Sequence, residues 1–159
     1  MPHLILLGDS VFDNAAYTGG GPAVIDHVRK SLPPDWACTL FAIDGSTTAN
    51  IESQIAALPE TATHLVLSVG GNDALLHADI LDEPVQFSGQ AFGRLYEVVQ
   101  EFRVNYERTV ALCLRFRLPL VICTVYNGNF PSPLNQKNWW CRRLGLSYFH
   151  FSGLGFLLY

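Results

Sequence analysis

The sequence predicts an α/β fold built on a mostly parallel, doubly wound sheet, and three observations carry that expectation. Four short runs, "HLILLG" (3–8), "ACTLFAI" (37–43), "HLVLSVG" (64–70) and "LVICTVY" (120–126), are apolar and rich in leucine and β-branched residues. They lack strict apolar–polar alternation, as strands do when helices cover both of their faces. Helical segments fill the gaps between them, and this alternation is the order of a doubly wound sheet whose ligands sit beyond the carboxyl ends of the strands.

Each element has its own signal. "HLILLG" turns polar at Asp9, which ends the first strand. "PAVIDHVRKSL" (22–32) opens on proline, whose missing N–H costs nothing in a first helical turn. "TTANIESQIAALP" (47–59) opens on threonines and is stopped by Pro59. From about Gly89 to Phe116, Phe92, Leu95, Val98, Val99, Phe102, Tyr106, Val110, Cys113 and Leu114 recur at helical spacing, so this segment is read as one long helix with that stripe in the core.

The totals bound the function. A chain of 159 residues, 49% apolar, suits one domain able to bury a core. A net charge of -4, with no Lys/Arg run longer than a pair such as Arg142-Arg143, argues against a nucleic-acid partner. The four cysteines are far apart with no C-x-x-C pair, so neither a disulfide framework nor a zinc knuckle is expected. "MPHLILLGDS" lacks the basic start of a secretory signal, which together with the cysteine usage points to the cytoplasm.

Three strand ends carry candidate chemistry. Asp9-Ser10 follows the first strand, with Gly8 at the bend where a residue without a Cβ permits a tight turn. Taken alone the pair reads first as a helix cap, and it is the surroundings that favour the nucleophile. The second strand ends in "IDGSTT" (43–48), where Gly45 can present a backbone N–H. The third ends in "VGGND" (69–73), where Asn72 can donate its side-chain amide, or with Asp73 can cap a helix. A hydroxyl, a backbone N–H and an amide around one crevice are what acyl transfer needs: a nucleophile, and donors aimed at the oxygen that becomes negative.

At these residues the chain resembles the GDSL lipase/esterase, or SGNH hydrolase, family. "GDSVFDN" looks like its first block, "DGSTT" like its glycine block and "GGND" like its asparagine block, in order and spacing, over about residues 3–136. The resemblance implies a three-layer α/β/α, flavodoxin-like fold and a serine hydrolase acting on a small ester, thioester or acyl-sugar without cofactor or metal. It implies Ser10 as nucleophile, Asp9 shaping the turn, and the Ser10 N–H, the Gly45 N–H and the Asn72 side chain as oxyanion hole.

The match breaks at the base. Family members supply it from a D-x-x-H block near the C-terminus, but all fourteen acidic residues here lie at or before Glu107. His3, His27 and His64 are expected at structural or solvent-facing positions, and His77 on a helix or loop surface. His150, in "SYFHFSG", has about the right place in chain order and is the candidate base, though no acid stands three residues before it. Residues 137–159 form an atypical tail with seven aromatics in twenty-three residues. It is too short and impure for a membrane span, although aromatics beside Arg142-Arg143 are compatible with a bilayer boundary. The expectation is a hydrolase-like domain over 1–136 whose reading frame departs from the family after about Gln136, leaving out the last strand, the last helix and the base block.

Two other readings stand beside this one. The chain is a non-catalytic member that binds an acyl or carbohydrate ligand in the same crevice. Or "TGGGPAVIDH" (18–27) places phosphate at a helix N-terminus in a nucleotide binder, although its spacing fits neither the dinucleotide fingerprint nor the P-loop.

Overall fold

The computed structural model describes residues 1–125. Strands β1 (His3–Gly8), β2 (Ala37–Leu40), β3 (His64–Ser68) and β4 (Leu120–Ile122) form one sheet in the order β2-β1-β3-β4, with every neighbouring pair parallel. The chain starts in the middle, steps to β2 on one side, then crosses to β3 on the other. That reversal between β1 and β3 opens a crevice at their carboxyl ends, where Gly8 lies opposite Ser68.

Successive side chains of a strand point to opposite faces, and the core divides accordingly. Ile5 and Leu7 of β1, Leu65 and Leu67 of β3 and Leu120 of β4 pack with Ile51, Ile55 and Cys113, which come from helices α2 (Ile51–Ala56) and α4 (Ser88–Leu114). On the other face Leu4 and Leu6 meet Cys38, Phe12 and Ile25, the last from helix α1 (Val24–Ser31). Helices therefore cover both faces, which gives the three-layer α/β/α arrangement. Each fully buried leucine or isoleucine contributes roughly 1.5–3 kcal/mol relative to an exposed one.

Local chemistry sets the helix starts. Asp26 Oδ2 accepts from the Ala23 N–H at 2.9 Å and Asn14 Oδ1 from the Val24 N–H at 2.9 Å, so two donors at the start of α1 are satisfied by side chains. A 3-10 turn, Thr48–Asn50, leads into α2, and Asn50 Oδ1 accepts from the Thr47 N–H at 2.8 Å. After β3 a short helix α3 (Gly71–Leu76) and a 3-10 turn (Ala78–Leu81) precede α4.

The structure corrects the sequence reading at several places, among them the strand over 120–126, which stops at Ile122, and the helix over 47–59, of which only Ile51–Ala56 is α-helical. The strand over 37–43 stops at Leu40, because the Phe41 and Ala42 N–H groups both donate to the Leu6 carbonyl, each at 2.9 Å, and this doubling bulges the edge. The strand over 64–70 stops at Ser68, where the chain turns into α3. The stripe of α4 is core only in part: Phe102, Tyr106, Val110 and Cys113 face the sheet or its loops, whereas Phe92 is 70% exposed and Val99 and Leu114 are 38% exposed. For Phe92 the cause is length. Twenty-seven helical residues reach about 40 Å, about twice the length of a six-residue strand, so the first turns of α4 overhang the sheet.

Among the described residues no helix is long and apolar enough to cross a membrane. The boundary at Gln136, the aromatic tail and His150 lie outside the described residues.

Candidate active site

The Ser10 turn is built on Gly8. Its φ is +135°, and a Cβ there would stand 1.8 Å from the Ser68 carbonyl oxygen, so only glycine lets β1 run this close to β3 before it bends. The Asp9 N–H continues the ladder to the Ser68 carbonyl at 3.1 Å. The Asp9 carbonyl then accepts from the Phe12 and Asp13 N–H groups, at 3.1 and 3.0 Å, which closes one helical turn around Ser10. Inside that turn Asp9 Oδ1 accepts from the Val11 N–H at 3.0 Å. Asp9 is thus the internal brace of the turn, 4% exposed. Burial lifts its carboxyl above the ordinary carboxylate value; the Val11 N–H opposes that rise, and the charge of Asp73 adds to it. Ser10 itself is half-buried and lines a cleft of about 470 Å³ with Val11, Asn14 and Tyr17.

The second loop is tied to this turn on both sides of Ser10. The Ile43 N–H donates to the Gly8 carbonyl at 3.1 Å, and the Asp44 N–H donates to Asp13 Oδ2 at 2.9 Å. Tyr17 adds a hydroxyl bond to Asp44 Oδ2 at 2.5 Å. Gly45 follows at φ +78°, in a turn closed by the Ser46 N–H on the Ile43 carbonyl at 3.1 Å. Among the described residues neither the Ser10 N–H nor the Gly45 N–H has a hydrogen-bond acceptor.

The third loop joins from the far side. Asn72, in the first turn of α3, donates Nδ2–H to the Ser46 carbonyl at 2.9 Å, which sets the amide beside the residue following Gly45 and leaves it a second hydrogen. Asp73 does cap a helix start, but a neighbouring one: its carboxylate accepts from the Thr48 N–H at 3.0 Å and from the Thr48 hydroxyl at 2.5 Å. Thr109 of α4 donates to the Thr48 carbonyl at 3.2 Å, so the long helix holds the same loop. Ser10, Gly45 and Asn72 therefore stand on three loops cross-linked at one sheet edge.

The described histidines do not join them. His3 sits at the opposite end of β1 with Nδ1 3.0 Å from Thr61 Oγ1 and Nε2 2.8 Å from Thr39 Oγ1. His64, at the entrance of β3, lies against Trp36 with ring centroids 4.7 Å apart. His27 is exposed on α1, and His77 ends α3. None of these four lines the Ser10 cleft. No group of three or more metal-ligating side chains is present among the described residues. The glycine stretch 18–27 carries no built phosphate site: the Thr18 hydroxyl donates to the Gly21 carbonyl at 2.7 Å, and Asp26 occupies the start of the helix with negative charge.

One residue of the assembly escaped the motifs. Gln54 of α2 is 3% exposed, accepts from the Gly8 N–H at 2.8 Å and donates to the Gly8 carbonyl at 2.8 Å and to Ser46 Oγ at 3.2 Å. Its signal was present in "IESQIAAL", where an amide interrupts the apolar positions Ile51, Ile55 and Leu58 of a helix face.

No protein-family model and no curated protein matches the sequence. Solved structures do match its fold. The structure resembles a lipase from a goat rumen metagenome, with a TM-score of 0.62 and 17% identity over 98% of this chain and 78% of that one. It also resembles an extracellular lipase of Streptomyces rimosus, with a TM-score of 0.57 and 13% identity over 92% of this chain and 72% of the other. A third similar structure is an esterase of the SGNH-hydrolase family, with a TM-score of 0.53 and 16% identity over 92% and 72% of the two chains. The chain thus has the α/β/α fold of SGNH-type esterases and lipases.

Proposed function

We propose that this chain is a serine hydrolase of the SGNH type that cleaves an ester, thioester or acyl-sugar through an acyl-enzyme on Ser10. The observation that supports it most is the edge at which the Ser10 turn, the Gly45 turn and Asn72 are hydrogen-bonded to one another while the N–H groups of Ser10 and Gly45 lack acceptors among the described residues. In this reading Ser10 Oγ attacks the substrate carbonyl carbon and gives its proton to the base, for which His150 is the candidate. The carbonyl oxygen becomes negative and is met by the two backbone N–H groups and the free Asn72 hydrogen. The bond to the leaving alcohol, thiol or sugar oxygen breaks as that group takes the proton back. Water then releases the acid by the same steps.

A fluorophosphonate, which phosphonylates an activated serine with loss of fluoride, tests this. Folded chain should gain the adduct on Ser10, located by peptide mass, and Ser10→Ala should gain none. No adduct on the folded chain, with an SGNH esterase labelled in parallel, overturns the reading.

A second reading has a specific observation behind it: the histidines of the described residues all lie away from the Ser10 cleft. On that reading the same edge binds an acyl or carbohydrate ligand without turning it over. Ligand affinity would then be unchanged in Ser10→Ala, and any esterase rate abolished by that substitution would exclude it.

A further inference from the structure

We infer that Gln54 is a positioning residue that holds the Ser10 turn and the Gly45 turn in register; the inference rests on the Ser10 hydrolase reading. At the carboxyl end of β1 the sheet fails on its β2 side. Phe41 and Ala42 both donate to the Leu6 carbonyl, so β2 has bulged by the time β1 reaches Gly8. The backbone of Gly8 would be left with an unmatched donor there, one residue before Asp9 and two before Ser10. The Gln54 carboxamide fills that gap. Its Oε1 accepts from the Gly8 N–H and its Nε2 donates to the Gly8 carbonyl, both at 2.8 Å, so one side chain supplies the acceptor the sheet lacks and adds a second bond to the carbonyl that the Ile43 N–H also reaches.

The same Nε2 reaches Ser46 Oγ at 3.2 Å, and Asn72 binds the Ser46 carbonyl at 2.9 Å. Gln54 therefore stands between the residue that sets the Ser10 turn and the residue that follows Gly45, while Asn72 closes the set from α3. A carboxamide is the group that fits, because the position needs an acceptor and a donor in one plane and carries no charge at 3% exposure. The backbone donors of an oxyanion hole work only when held in place before the charge develops, and a shift of about 1 Å costs rate on the order of 100-fold.

Full-length chain carrying Gln54→Met, which keeps side-chain length without either polar atom, is compared with wild type for its rate of fluorophosphonate labelling at Ser10. Far-UV dichroism and thermal melting check the fold of each variant. Labelling of folded Gln54→Met should be about 10- to 100-fold slower. Gln54→Glu gives a readout that a merely structural role would not move. Ionised, its carboxylate can accept from the Gly8 N–H but cannot donate to the Gly8 carbonyl; protonated, it can do both. Burial raises a carboxyl pKa, so the labelling rate of Gln54→Glu divided by that of wild type should rise as pH is lowered, and it stands in for Gln54→Met if that variant does not fold. Wild type that is not labelled at Ser10 overturns the hydrolase reading and takes the role of Gln54 with it. Wild type that is labelled, beside a folded Gln54 variant labelled equally fast at every pH, overturns the role of Gln54 alone.

Discussion

Gly8→Ala is the substitution with the most clearly worked consequence. An added Cβ would lie 1.8 Å from the Ser68 carbonyl oxygen and 2.7 Å from the Ser68 carbonyl carbon, both backbone atoms at the carboxyl end of a parallel ladder. Restoring ordinary contact means parting β1 from β3 by roughly 1.5 Å. That movement breaks the Asp9 N–H bond to Ser68, worth about 0.5–1.5 kcal/mol net. A residue with a side chain at φ +135° adds about 1–3 kcal/mol of backbone strain. Loosened packing around Leu7 and Leu67 adds more, so the whole cost is about 3–5 kcal/mol, a large share of the roughly 5–15 kcal/mol that holds a domain together. Urea unfolding followed by far-UV dichroism should show a lower midpoint with an unchanged slope, and thermal melting should fall by about 10 °C. A loss below about 1 kcal/mol would refute the reasoning, because it would mean that β1 and β3 tolerate a side chain between them.

Two further outcomes follow from the polar groups around the same edge. Asp9 is raised above its ordinary value of 3.8 mainly by burial, so its charged form is the costly one in the fold and stability is lost as pH rises through the folded pKa. Asp9→Asn keeps an acceptor for the Val11 N–H and removes that charge; it should melt above wild type at pH 7, with the difference gone below pH 3.8, and a variant less stable than wild type at pH 7 would contradict this account. Asp73→Ala leaves the Thr48 N–H and hydroxyl without their acceptor and should cost about 1–3 kcal/mol in urea unfolding, while Glu52→Ala, on an exposed face of α2, should stay within about 0.5 kcal/mol of wild type.

Much of this architecture is written in local pattern. Apolar runs without alternation specify strands covered on both faces, and Ile5, Leu7, Leu65 and Leu67 are indeed fully buried. The three candidate loops were legible because each couples a glycine at a bend to a polar residue at a strand end. What the pattern did not carry depends on distance through space. Whether Phe92 is core depends on how far α4 extends past the sheet, and periodicity along one helix contains no information about that. The early end of β2 depends on two N–H groups competing for the Leu6 carbonyl, which is a property of the pair of strands. Asp73 was legible as a cap, but not as the cap of a helix start twenty-five residues earlier.

The candidate site divides into two halves that the fold supplies by different means. In the proposed reading its electrophilic half is two backbone donors, the Ser10 and Gly45 N–H groups, beside the Asn72 amide, and backbone donors are fixed by whatever holds the turns that present them. Here each turn is closed by its own backbone and braced from outside by side chains, Asp13 for the residue before Gly45, Asn72 for the residue after it, and Gln54 for both turns. Those supports come from the β1–α1 segment, from α2 and from α3, so the donors are in position only when the sheet, α2 and α3 have already packed. Such coupling makes the hole a product of the whole β1–β3 crevice, and the stability of Gly8 and the geometry of the two donors should fail together. In the proposed reading the proton-accepting half is a side chain, for which His150, outside the described residues, is the candidate. Substitutions at Gly8 or Gln54 are therefore expected to slow every carbonyl or phosphonyl reaction at Ser10 by similar factors across pH for a fixed neutral side chain, whereas loss of the base would change the pH profile itself.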